Sequence, residues 1–172
     1  MNEEEYEIHD GIKRRIEMSE SYDRPTNAID RVEWGIMKDK IEDSFHEVGR
    51  NPNDERFLDT IWQVSTVDLP GLEVSVVVDG KNQLYIGKGT GSFVDYTSEN
   101  VIGMIIPMKC WIHTHPFGAA YFSSTDWYTI NTQRPILNSA IVLGKMERMK
   151  WYKDAGNELL CRTETITLDE EE

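Results

Sequence analysis

Two histidines, a serine and an aspartate fall close together in KCWIHTHPFGAAYFSSTDW, residues 109 to 127, at a spacing that suits a metal ion. Side chains of a strand alternate between its faces, so His113 and His115 point the same way and both imidazoles can reach one cation. The residues before them, Cys110, Trp111 and Ile112, read as the end of a strand. Pro116 stops it, because proline has no N–H to give a ladder. After a small-residue loop from Gly118 to Ala120, Ser123 or Ser124 caps a helix covering at least Asp126 to Thr132. Asp126 then sits in the first turn, where the helix dipole favours a carboxylate. Two neutral imidazoles and one carboxylate suit zinc at about 2.0–2.2 Å, with the fourth tetrahedral corner left for water. Taken singly, Ser-x-x-Asp is an ordinary capping pattern and His-x-His carries little weight. Their combination is specific, since two of the chain's four histidines stand in His-Thr-His-Pro with Ser-x-x-Asp behind them.

That composite, H-T-H-P, six residues, then S-x-x-D, resembles the signature of the JAMM (MPN+) zinc metalloproteases. YFSSTD is also similar to the FLSSVD form of their AMSH-type deubiquitinating branch. The resemblance implies zinc held by His113, His115 and Asp126, and an upstream glutamate on the first core strand. Glu73 fits that place. It opens the β-branched run from Leu72 to Val78, entered through Pro70-Gly71 and left through Asp79-Gly80. A carboxylate at the mouth of an apolar strand is rare unless it is paired, hydrogen-bonded or working. Glu99, at the start of a short helix, is the second candidate.

The resemblance further implies hydrolysis of a peptide or isopeptide bond in a protein or peptide substrate, including a ubiquitin-like conjugate. Glu73 acts as general base and then general acid. Ser123 donates to the oxyanion, a contact typically worth about 3 kcal/mol. Only nine residues separate Asp126 from Ile136, which leaves no room for the long insertion of ubiquitin-chain-specific relatives, so the resemblance does not carry linkage selectivity over to this chain. The hairpin VVVDGKNQLYIGKGTG is similar to the RadC-like branch and phage-tail relatives as well. The alternatives are therefore a related enzyme with another substrate, or a scaffold that keeps zinc for stability.

The elements that must position these groups follow from periodicity. Ile8, Ile12 and Ile16 mark one helix. A second amphipathic pattern runs through Ile29, Val32, Ile36, Ile41, Phe45 and Val48. Asn51-Pro52-Asn53-Asp54 breaks the chain before a helix with Phe57, Leu58, Ile61 and Trp62 on its greasy face. The strand of Glu73 turns back at residues 79 to 82 into Gln83–Gly87. After the motif, residues 136–143, 150–152 and 158–162 read as strands. The expected class is α/β. In the fold that the resemblance implies, cytidine-deaminase-like and of MPN/JAMM type, a curved mixed sheet is sandwiched by helices. Residues 1–50 form a helical extension packing on or extending the core, and 51–172 form the metalloprotease-like domain.

The 172 residues, 39% of them hydrophobic, suffice for a buried core. A net charge of −13 gives no electrostatic footprint for nucleic acid or an anionic membrane. No apolar run approaches a membrane span of about 18 residues, and an acidic N-terminus is unlike a signal peptide, so a cytoplasmic location is expected. Gly87 to Ser92 is glycine-rich but lacks the strand-to-helix setting and G-K-[ST] ending that cradle phosphates. Cys110 and Cys161 form no disulfide framework.

Overall fold

The computed structural model describes residues 30–88, 103–154 and 157–168. The expected helix around Ile12, the stretch Gly89 to Ser92, Glu99 and the acidic ends lie outside the described residues.

Helix α1, Arg31–Glu47, starts at Asp30, whose carboxylate accepts the Val32 N–H. Its buried stripe is Trp34, Ile41 and Phe45, with Met37 and Val48 partly covered. The expected stripe included Val32 and Ile36, and both face solvent, at 72% and 56% exposure. Trp34 decides the orientation. Its large ring lines up with Ile41 and Phe45 at helical spacing, which turns positions 32 and 36 outward. Helix α2, Glu55–Gln63, is capped by Asp54 and buries Phe57, Leu58 and Ile61. It runs on into a π-helical turn, Val64–Asp68. The rings of Phe45 and Phe57 meet at 4.6 Å, which welds α1 to α2.

Six strands follow: β1 (Val74–Val78), β2 (Leu84–Lys88), β3 (Cys110–Thr114), β4 (Ser139–Leu143), β5 (Glu147–Asp154) and β6 (Asn157–Thr167). Helix α3, Ser124–Gln133, lies between β3 and β4. The spatial order is β2-β1-β3-β4-β5-β6, with β3 and β4 parallel and every other pair antiparallel. The chain is therefore mixed α/β, with one six-stranded mixed sheet and three α-helices among the described residues.

Alternation sends each strand's side chains into two cores. Val74, Val76, Val78, Cys110, Ile112, Ile141 and Leu143 face α1 and α2. Val77, Trp111, Ala140, Val142 and Trp151 face the side of Ile130, on α3. Strand β3 is thus buried throughout, as a central strand covered on both faces should be. Cys110 and His113 lie on opposite faces. Strand β6 extends five residues beyond the expected Arg162, because the whole of β5 offers it a partner.

Asp79 secures the β1–β2 turn. Its carboxylate accepts the N–H groups of Lys81, Gln83 and Ile105 and the amide of Gln83. No helix among the described residues is long and apolar enough to cross a membrane.

Candidate metal centre

His113 is the fourth residue of β3, 5% exposed, and pairs across the sheet with Ser75 on β1 and Val142 on β4. His115 follows one residue beyond the strand, half-buried, where its N–H donates to the Leu143 carbonyl at 2.8 Å. The two rings lie 5.2 Å apart, edge to face. Asp126 comes from the first turn of α3, and its Oδ2 is 3.2 Å from His113 Nε2. One ligand atom each from His113, His115 and Asp126 lies within 4.8 Å of the others. Among the described residues this is the cluster able to hold a metal ion.

The donor set and its spacing fit such an ion. Two ligands about 2.1 Å from a tetrahedral cation stand about 3.4 Å apart, close to the observed nitrogen–oxygen contact. His115 Nδ1 donates to the Ala119 carbonyl at 3.1 Å. A neutral imidazole that donates through Nδ1 carries its lone pair on Nε2, the nitrogen then available to a metal. Nδ1 of His113 is buried without a hydrogen-bond partner, so the ring's one hydrogen bond is to Asp126. A cation drawn between His113 and Asp126 takes over the role of the proton they share.

Electrostatics point the same way. Burial pushes the His115 imidazole below its ordinary pKa, the neighbouring His113 adds to this, and both outweigh the Ala119 carbonyl and Asp126. His115 is accordingly neutral at pH 7, as a ligand must be. Burial raises the Asp126 carboxyl, but the hydrogen bond and charge of His113 and the donors of Ser123 bring it below the usual carboxylate range.

Neither a family model, nor a curated protein, nor a solved structure matches this chain. The chemistry open to the site is set by its own geometry.

Ser123 is the N-cap of α3 in a full capping box: its Oγ accepts the Asp126 N–H at 3.1 Å, and its own N–H donates to Asp126 Oδ2 at 2.9 Å. The ordinary role of Ser-x-x-Asp is therefore real here. It also aims Asp126 at His113, and accepting that bond leaves the hydroxyl proton able to donate elsewhere. Glu73 stands one residue before β1, half-buried. The ladder between β1 and β3 ends at the pair Ser75 and His113, two residues beyond Glu73. Glu73 is not one of the three converging groups.

Sequence reasoning overlooked the platform beneath the site. Trp111 stacks on His113 with centroids 4.6 Å apart and planes 18° from parallel, and its indole N–H donates to Ser75 Oγ at 3.1 Å. The signal was present, because residues 111 and 113 share a strand face. The aromatics of the following loop divide. Phe122 is buried against Trp127, whereas Phe117 and Tyr121 are more than half exposed, with Tyr121 edge-on to His115. Two clefts lie along α1, lined by groups such as Asp39, Lys40 and Asp43, and no histidine lines either. A metal centre needs only the room for an ion and one reacting group.

Proposed function

We propose that this chain is a zinc-dependent hydrolase of JAMM type, cleaving a peptide or isopeptide bond in a protein substrate such as a ubiquitin-like conjugate. The observation that carries the reading is the convergence of His113, His115 and Asp126 from a strand end and a helix tip, with Glu73 one residue before the adjoining strand β1. Zinc, when bound there, supplies Lewis acidity and lowers the pKa of water to about 7. Glu73 receives the proton of the attacking water as its oxygen bonds to the carbonyl carbon. It returns that proton to the amine as the C–N bond breaks. The Ser123 hydroxyl donates to the carbonyl oxygen as negative charge builds on it. His113, His115 and Asp126 hold the site's shape, and Trp111 and Phe122 shield His113 from bulk water. Helix α3 ends at Gln133 and β4 starts at Ser139, so the segment between them is short, and no particular chain linkage is proposed.

The test is metal content after loading with zinc, followed by hydrolysis of a ubiquitin-like fusion. Glu73→Gln is expected to keep zinc and lose turnover, and His113→Ala to lose both. Zinc bound without hydrolysis of any peptide or isopeptide substrate points to a structural centre. A wild-type protein that binds no divalent metal ends the proposal.

A further inference from the structure

The loop between the histidines and α3 is pressed against the β4–β5 turn. A Cβ on Gly144 would lie 2.3 Å from the Ala120 nitrogen and 2.8 Å from the Ala119 carbonyl carbon, so only glycine admits this approach. The Lys145 N–H donates to the Gly118 carbonyl at 2.9 Å, which holds the loop from the same side. At the start of β5, Glu147 Oε1 accepts the Ala120 N–H at 2.7 Å. The carbonyl of that same peptide group, on Ala119, accepts from His115 Nδ1 at 3.1 Å. A carboxylate, a peptide unit and an imidazole are therefore in series.

We infer that Glu147 is a positioning residue for the metal centre, acting on His115 through the Ala119–Ala120 peptide. A charged acceptor shortens and strengthens its hydrogen bond, and hydrogen bonds in series polarise one another. Negative charge at the amide end makes the Ala119 carbonyl a better acceptor. This fixes His115 as the Nδ1–H tautomer, turns Nε2 toward the site and raises its donor strength. Metal-bound histidines commonly lean on a carboxylate or a backbone carbonyl. Here the backbone carbonyl is backed by a carboxylate in turn. The inference rests on His115 being a ligand, as the proposed hydrolase requires.

Glu147→Gln separates this relay from a simple tether, because glutamine keeps an acceptor for the Ala120 N–H and removes the charge. Side-chain 15N NMR of the metal-free protein reads the tautomer, and chelator competition reads zinc affinity. The wild type is expected to show His115 as Nδ1–H. In Glu147→Gln the Nε2–H form gains population and zinc affinity falls about ten-fold, with the melting temperature unchanged. Gly144→Ala, which must displace the Ala119–Ala120 peptide, is expected to produce the same two changes by another route. Wild-type tautomer and affinity in Glu147→Gln overturn the relay and leave Glu147 a tether. If the wild type binds no zinc, the hydrolase reading fails on its own, and the tautomer measurement alone decides the relay.

Discussion

Thr114 stands between the two histidines and points to the opposite face, so replacing it tests how the site strand is held without touching a ligand. Its Oγ1 accepts the Val74 N–H at 2.9 Å and meets Ser65 Oγ at 2.8 Å, all at fully buried positions. Thr114→Val keeps the volume and removes that oxygen. The Val74 N–H is then left in the core without its acceptor, which costs about 1–3 kcal/mol. Ser65 loses one partner and keeps the Leu72 carbonyl, so its share is smaller. A total loss of about 2–3 kcal/mol is expected. In a chain of this length about 1 kcal/mol moves the melting temperature by roughly 2–4 °C, giving a fall of roughly 5–10 °C. Val74 adjoins Glu73, the proposed general base, so loosening it is expected to displace that carboxylate before it disturbs the histidines. Turnover should therefore fall further than zinc affinity. Urea unfolding, zinc competition and hydrolysis rates on one preparation make the comparison. A stability change below about 0.5 kcal/mol, the range of an ordinary surface substitution, refutes the claim that Thr114 anchors β1 at the site.

Three further outcomes are expected. Ser123→Ala removes the N-cap acceptor of α3 and should cost about 1 kcal/mol while lowering turnover about 10²-fold or more, read by melting temperature and rate. A melting shift with an unaltered rate would assign the hydroxyl to capping alone. Asp79→Asn places an amide donor against donors and should cost about 2 kcal/mol at pH 7. Burial raises the Asp79 carboxyl, but the N–H groups of Ile105, Gln83 and Lys81 outweigh it and hold the folded pKa below the unfolded one. Its contribution is therefore present above the unfolded carboxylate range and lost as pH falls through the folded value, so the gap between wild type and variant should narrow from pH 7 to pH 3. Unfolding midpoints across that range decide it, and a constant gap would contradict the charge-based account. Burial pushes the Cys110 thiol up to about 11, whereas Cys161 is half-buried, so a thiol reagent at pH 8 should titrate one cysteine in the folded protein and two in urea.

The parts of this molecule that follow periodic rules were legible in the sequence. Parity placed His113 and His115 together and Cys110 on the other face, and the Asp-Gly turn after Val78 placed the β1–β2 hairpin. Capping chemistry placed the start of α3. Competing apolar positions were harder to read. Val32 and Ile36 matched a helical stripe, but the ring of Trp34 buries far more area and rotates α1 away from them. The clamp on His115 left no pattern, because it runs through a backbone carbonyl and a glutamate 32 residues downstream, joined only when β4 and β5 fold back. Ser65 and Thr114 likewise meet across 49 residues, as a pair that no local spacing announces.

Strand β3 runs against β1 on one side and alongside β4 on the other, so its outgoing end meets the incoming end of β1. The candidate ligands thus gather where three connecting segments open at one rim of the sheet, while the framework below is stitched together elsewhere. On the proposed reading, such an arrangement lets a lineage exchange a piece that would greet a substrate by lengthening the approach to Glu73. The cluster of His113, His115 and Asp126 beneath stays as it was.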